Sequence, residues 1–383
     1  MKKIQLTCAH AIVKYLISQK ILVDGKKLPL FAGAFGIFGH GNVACLGQAL
    51  EENKKELPTW RGHHEQNMAL TGIAFSRAKR RKQIFVATSS VGPGSTNMLT
   101  AAAVAMSNRL PMLFLPGDTY ANRMPDPVLQ QVEHFNNPNI TQNDAFKYVT
   151  RYFDRITRPE QILQTFPQAI QTMIDPADCG PACISLSQDV QGETFDYPEE
   201  FFNEKIHTIR RPRPDDYQIK QAADLIKKSK NPIIISGGGI FYSDAMKELS
   251  QFAKKHNIPT AQTVMGYSTM KKDDPYFLGA IGGFGGKAPN DFMKKTDLAI
   301  AIGTKLADFT TGSWTNFENP NFKLVSINVS RFDANKHMAQ SIVGDAKVCI
   351  QDLTVALGSW KASDEWYKKS RIAVKSWNNY LDK

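Results

Sequence analysis

One stretch limits what this chain can fold into more than any other. Across residues 65–118 an amphipathic helix, an apolar strand, a glycine-proline turn, a small-residue helix and a second apolar strand follow without a gap. Met68, Gly72 and Phe75, with Ala69 and Ile73, recur at helical spacing. The basic residues Arg77, Lys79, Arg80 and Arg81 close that helix where its dipole favours cations. Residues 84–87 (IFVA) and 112–115 (MLFL) are apolar throughout, as strands covered on both faces should be. Residues 89–97 (SSVGPGSTN) read as a turn. Strand, crossover helix and strand make a βαβ unit, which implies parallel pairing and a right-handed crossover. The expected fold class is therefore α/β, with doubly wound parallel sheets.

The alternation continues on both sides of this unit. Residues 30–37 read as a buried strand that ends in Gly39-His40-Gly41-Asn42 before a helix over 44–50. Loops at the carboxyl ends of parallel strands are where open α/β sheets bind ligands. His40 thus either contacts a substrate or merely satisfies loop backbone, and sequence leaves both open. His63 and His64 are no metal pair, because neighbours in extended chain point apart. Residues 120–131 form a loop broken by Pro125 and Pro127, with 128–132 a short helical turn. A helix from Pro159 to about residue 174 and a strand over 181–186 complete a first domain, 1–190. Pro198, Pro212 and Pro214 interrupt residues 191–215, which read as a linker. A second α/β domain follows over 216–358, with strands at 232–235, 298–302 and 324–329. Gly237-Gly238-Gly239 lacks the rest of a dinucleotide fingerprint and reads as a strand-to-helix turn. Residues 359–383 suggest one amphipathic helix marked by Trp366, Tyr367, Ile372, Val374 and Trp377.

Composition removes several function classes. With 42% hydrophobic and 22% charged residues over 383 positions, this is ordinary globular sequence, and no run approaches membrane-spanning length. The net charge of +11 invites a nucleic-acid partner. Its basic residues, however, fall in short runs at element ends (26–27, 79–82, 210–213, 227–230), without a nucleic-acid motif, and read as solvated surface. The amino terminus is no secretory signal: His10 and Lys14 interrupt it, and Thr7 reads as the N-cap of a helix bearing Ala9, Ile12, Val13, Leu16 and Ile17. Cys8, Cys45, Cys179, Cys183 and Cys349 show no metal spacing, which points to a reducing cytoplasm.

An acid-amide pair opening a helix (Glu65-Gln66), followed by Ser90-Val91-Gly92-Pro93-Gly94 and Asn97, resembles the pyrimidine-binding domain of thiamine-diphosphate enzymes. A lone acid at a helix start would merely serve the dipole; the glycine loop at this distance favours the cofactor role. The resemblance implies that Glu65 hydrogen-bonds the aminopyrimidine ring and so promotes loss of the thiazolium proton, with Gly92, Pro93 and Asn97 lining the cofactor. Such chemistry wants a carboxyl in a dry pocket, where burial holds its proton near neutrality. The cofactor supplies the carbanion chemistry and the protein places it.

Longer runs narrow the resemblance. Residues 38–42 (FGHGN), 125–131 (PDPVLQQ), 141–145 (TQNDA), 154–161 (DRITRPEQ) and 187–193 (SQDVQGE) are similar to the trihydroxycyclohexane-1,2-dione hydrolases of myo-inositol breakdown. This implies carbon–carbon hydrolysis of a cyclic diketone to 5-deoxy-glucuronate, with His40, Asn42 and Gln130 or Gln131 facing the polyol. It also implies a homo-oligomer, at least a dimer through the helix at 67–78. The middle domain would be a Rossmann-like spacer. His63-His64 departs from the basic residue and amide more usual in such enzymes. The family further carries a third domain whose Gly-Asp-Gly motif holds Mg²⁺ on the diphosphate. No Gly-Asp-Gly occurs here, so that half-site is expected outside this chain, in a separate carboxyl-terminal half or not at all. An acetolactate-synthase-like carboligase and a non-catalytic assembly module are the alternatives.

Overall fold

In the computed structural model, which describes residues 2–383, the crossover units close onto two parallel sheets in two units that divide at Ile209/Arg210. The first sheet contains β1 (Phe31–Ile37), β2 (Thr59–Arg61), β3 (Ile84–Ser89), β4 (Leu113–Asp118), β5 (Tyr152–Ile156) and β6 (Ala182–Ser187). Their order is β2-β1-β3-β4-β6-β5, all parallel. Every residue of β3, β4 and β6 is buried, which explains why these runs carry no polar alternation. Helices α1 (Cys8–Ser18) and α5 (Ile162–Ile174) share one core with Val86, Leu113, Leu115, Ile184 and Leu186. On the other face α2 (Glu65–Ala78) packs against β3, where Phe75 meets Phe85 edge-on with ring centres 4.8 Å apart. Thr7 caps α1 by accepting from the His10 amide at 3.2 Å, and Ala9, Ile12, Val13 and Leu16 are buried.

The second sheet contains β7 (Pro232–Ser236), β8 (Thr260–Gln262), β9 (Phe277–Ala280), β10 (Leu298–Ile302), β11 (Lys323–Asn328) and β12 (Gln340–Val343). It is again wholly parallel, in the order β9-β8-β7-β10-β11-β12. Chain order reverses between β7 and β10, the doubly wound pattern. Two apolar clusters lie on its faces. The carboxyl-terminal helix, Asp364–Leu381, is anchored by Trp366, which is buried, meets the Phe292 ring at a tilt with centres 4.4 Å apart and donates to the Pro232 carbonyl at 2.8 Å.

Three segments differ from their sequence reading. The helix expected over 44–50 starts earlier, as a turn Gly39–Asn42, a π-helical turn Val43–Gly47 and an α-turn Gln48–Glu52. Residues 128–132 are not helical, because Gln130 takes a left-handed φ of 62°, which ends any right-handed turn. The stretch read as linker carries strands. Thr194–Pro198 pairs antiparallel with Lys3–Thr7, and Lys205–His207 pairs parallel with Gln19–Val23. Pro198 sits opposite Lys3 in a pair that exchanges no ladder bond, the next bond running from the Glu199 amide to the Lys2 carbonyl, so its missing N–H costs nothing.

Candidate functional site

A parallel sheet delivers the loops that follow its strands to one edge. In the first unit that edge collects residues 38–42 after β1, 90–97 after β3, 119–140 after β4 and 188–193 after β6. Helix α2 brings Glu65 to the same place at its first turn, half-buried, after an extended His64 that provides no side-chain cap.

The glycine-proline loop meets Glu65 directly. Asn97 Nδ2 donates to Glu65 Oε2 at 2.7 Å. Just before Asn97 the chain makes one helical turn, α3 (Pro93–Thr96), with Pro93 at its first position, where a missing N–H is harmless. So the run read as pure turn contains a helical turn. Gly92 has φ 71°, and a Cβ there would lie 2.0 Å from the Gln130 carbonyl oxygen. Only glycine lets this loop close on the 119–140 loop. At Gly94 a Cβ would lie 3.4 Å from Glu65 Oε1, so the bare backbone keeps room beside the carboxyl.

The other expected residues distribute unevenly. His40 is half-buried, and its Nε2 lies 2.8 Å from the Leu129 carbonyl. A carbonyl can only accept, so Nε2 carries the proton and Nδ1 of the neutral ring remains an acceptor. Asn42 is 1% exposed and points into the sheet instead of the cleft. Its Nδ2 donates to Thr88 Oγ1 at 2.7 Å and the Ser89 carbonyl at 2.8 Å, and its Oδ1 accepts from Gln191 Nε2 at 3.0 Å. Gln130 is exposed, whereas Gln131 uses its Oε1 to accept from the Val128 amide at 2.9 Å. His63 and His64 are exposed. The structure therefore brings Glu65, Gly92, Pro93 and Asn97 together, places Gln130 and His40 on the adjoining loops, and withdraws Asn42.

Two residues without an assigned role in the sequence reading also reach this edge. Gln188 Nε2 donates to the His40 carbonyl at 3.2 Å and Gln191 Nε2 to the Gly41 carbonyl at 3.2 Å, so two amides fasten the 38–42 turn. Their signals in sequence are position, just past the end of an apolar strand, and membership of the 187–193 run that carries the resemblance. Beneath the edge, buried Asp118 at the end of β4 pairs with Arg155 Nε at 2.8 Å. Burial opposes the Arg155 charge, but Asp118 and Asp144 outweigh it and hold the guanidinium charged more firmly than usual. Asp144 resists protonation: burial raises its affinity for a proton, yet Lys147, the Thr141 amide and Arg155 together bring it below the ordinary carboxylate range.

Residues 31–137 match the thiamine pyrophosphate enzyme N-terminal TPP binding domain, and residues 219–353 match the thiamine pyrophosphate enzyme central domain. This chain belongs to the thiamine pyrophosphate enzymes. Two of the domains expected of the family are present, and the first is of the type described as TPP binding. Among curated relatives, 3D-(3,5/4)-trihydroxycyclohexane-1,2-dione hydrolase of Clostridium tetani is 44% identical over 383 residues, covering 100% of this chain and 60% of the relative. The Clostridium perfringens protein of that name is 45% identical over 377 residues, or 98% and 59% of the two chains. That of Geobacillus thermodenitrificans is 45% identical over 383 residues, 100% and 59%. The chain thus spans about 60% of the length of the relatives it matches. Among the described residues, no helix is long and apolar enough to cross a membrane, and no group of three or more His, Cys, Asp or Glu is placed to hold a metal ion.

Proposed function

We propose that this chain supplies the pyrimidine half of a thiamine-diphosphate site that hydrolyses a carbon–carbon bond of a trihydroxycyclohexane-1,2-dione, yielding 5-deoxy-glucuronate. The observation that carries this reading is the Asn97–Glu65 hydrogen bond at 2.7 Å, beside the uncovered backbone of Gly94. The residues present fit the aminopyrimidine: a half-buried carboxyl at a helix start, held by an amide, with glycine leaving space for a flat ring. When bound, the cofactor supplies a carbon nucleophile that an unaided protein lacks. Glu65 holds and moves a proton at the ring nitrogen of the pyrimidine, while Gly92, Pro93 and Asn97 shape the wall around it. His40, through its free Nδ1, and Gln130 face the hydroxylated substrate, with Gln131 bracing the loop that presents them. Asn42 acts from within, fixing the turn that carries His40.

Residues 1–190 serve in this scheme as the cofactor domain and 216–358 as a spacer. Magnesium and the diphosphate are held by a complementary segment or subunit, and the active species is at least a dimer. A cytoplasmic setting suits the five free cysteines, four of them buried.

The test supplies the chain with the remaining carboxyl-terminal part of the C. perfringens relative and assays the cyclic diketone against pyruvate. Hydrolysis of the diketone is expected. Glu65→Gln should lower it by about 10²–10⁴, the usual worth of general acid–base assistance, while Gln66→Ala leaves it near the parent value. Turnover of pyruvate alone would point to a carboligase, and full activity in Glu65→Gln would remove the acid from its assigned role.

A further inference from the structure

The run Thr141-Gln142-Asn143-Asp144 stands apart from the site just described, yet its central residue is joined to that site through buried polar atoms. Asn143, Ser95, Ser185 and Asp118 each have 0% exposure. Ser185 Oγ lies 2.5 Å from Asp118 Oδ2, which Arg155 Nε also reaches at 2.8 Å. Asn143 Nδ2 donates to Ser185 Oγ at 2.7 Å and to the Gly117 carbonyl at 2.9 Å. Asn143 Oδ1 accepts from Ser95 Oγ. Ser95 lies in α3, two residues before Asn97.

The direction of every bond in this chain is forced. Asp118 Oδ2 faces the Arg155 guanidinium, which can only donate, so this oxygen is an acceptor and Ser185 donates to it. The Ser185 oxygen then accepts from Asn143, whose amide nitrogen is fixed a second time by the Gly117 carbonyl. That orientation turns Oδ1 towards α3, and Ser95 must donate. Buried networks of this kind have one satisfied arrangement, and any other leaves a polar group without a partner. Helix α3 is a single turn and cannot hold its own place by backbone bonds alone. We propose that Asn143 is a positioning residue of the cofactor site: through Ser95 it ties α3 to the ends of β4 and β6, and thereby sets where Asn97 meets Glu65. The proposal rests on reading Glu65 as the site's acid. Its test uses the ligand-free chain, so it can fail while that reading stands.

The readout is the side-chain amide of Asn97, followed by NMR in the intact chain labelled with ¹⁵N-asparagine; Glu65→Gln marks where its signals lie when the carboxylate partner is lost. Ser95→Ala removes one hydroxyl next to α3, and Ser185→Ala removes another at the far end of the relay. Both are expected to move the Asn97 signals towards their Glu65→Gln positions and to speed their exchange with water about five- to tenfold. Ile170→Val, a core change in α5 outside the relay, should lower the melting temperature without moving those signals. Asn143→Asp keeps the shape but sets an acceptor against Ser185 and the Gly117 carbonyl, and should behave like the serine variants. Unmoved Asn97 signals in Ser95→Ala and Ser185→Ala, at melting temperatures lowered as in Ile170→Val, would reduce the network to packing and overturn the proposal.

Discussion

At the scale of single residues, glycine positions carry the most explicit constraints. Gly92 combines a φ of 71° with a backbone carbonyl 2.0 Å from where its Cβ would stand. Alanine there meets both a disfavoured backbone and a rigid obstacle, and backbone strain alone costs about 1–3 kcal/mol. We expect Gly92→Ala to lower the melting temperature by about 5–10 °C, checked by scanning calorimetry. An unchanged melting temperature would mean that the 119–140 loop yields easily. Type and spacing in the sequence singled out Glu65, Gly92 and Asn97, and the fold brings the glycine loop to the helix start where they lie. Asn42 was harder to place, for an equally physical reason. A polar residue after a strand end looks available for ligand, and only the folded sheet commits its amide to Thr88, Ser89 and Gln191.

At the scale of elements, the strand Lys205–His207 shows how a segment rich in breaks becomes ordered. It pairs with Gln19–Val23, and buried His207 Nε2 lies 2.9 Å from Gln19 Oε1. The Gln19 amide nitrogen is already engaged by the Tyr15 carbonyl at 3.2 Å and Ser18 Oγ at 2.8 Å, so its oxygen must face the ring and His207 donates. Burial, with a smaller contribution from Lys205, pushes the His207 pKa down to about 4. An unfolded histidine titrates near 6.5, so between these values the unfolded chain binds more protons than the folded one. Stability from this group is complete above about pH 6.5 and is lost as pH falls towards 4. The loss amounts to at most about 3 kcal/mol. His256, donating to the Trp360 carbonyl at 2.8 Å and likewise depressed by burial, acts in the same direction. Urea unfolding at pH 7 and pH 4.5 should therefore show a drop in stability that His207→Gln reduces but does not abolish. An undiminished drop would place the acid sensitivity elsewhere. The strand itself escaped the sequence reading because three residues between prolines have no periodicity to detect.

At the scale of the whole molecule, several large apolar side chains of the first unit stand in water. Met124 is 94% exposed, Phe135 92%, Tyr148 88% and Leu129 69%, all on or near the loop that borders the candidate site. We expect the chain to associate at micromolar concentration, and sedimentation velocity decides it: a clean monomer would refute the expectation.

What sequence alone determined was the class of fold, and it singled out the acid that the glycine loop meets. Uninterrupted apolar strands alternating with amphipathic helices permit few answers besides parallel sheets covered on both faces. Tertiary structure decided everything that depends on which polar groups meet. It turned Asn42 inward, gave Gln130 the left-handed backbone that ends a helix, recruited Gln188 and Gln191 to the 38–42 turn, and joined Ser95, Asn143, Ser185 and Asp118, drawn from two βα loops and two strands, into one buried chain. Periodicity reports which face of an element avoids water. It holds no record of hydrogen-bond partners that lie tens of residues apart and become neighbours only when the sheet closes.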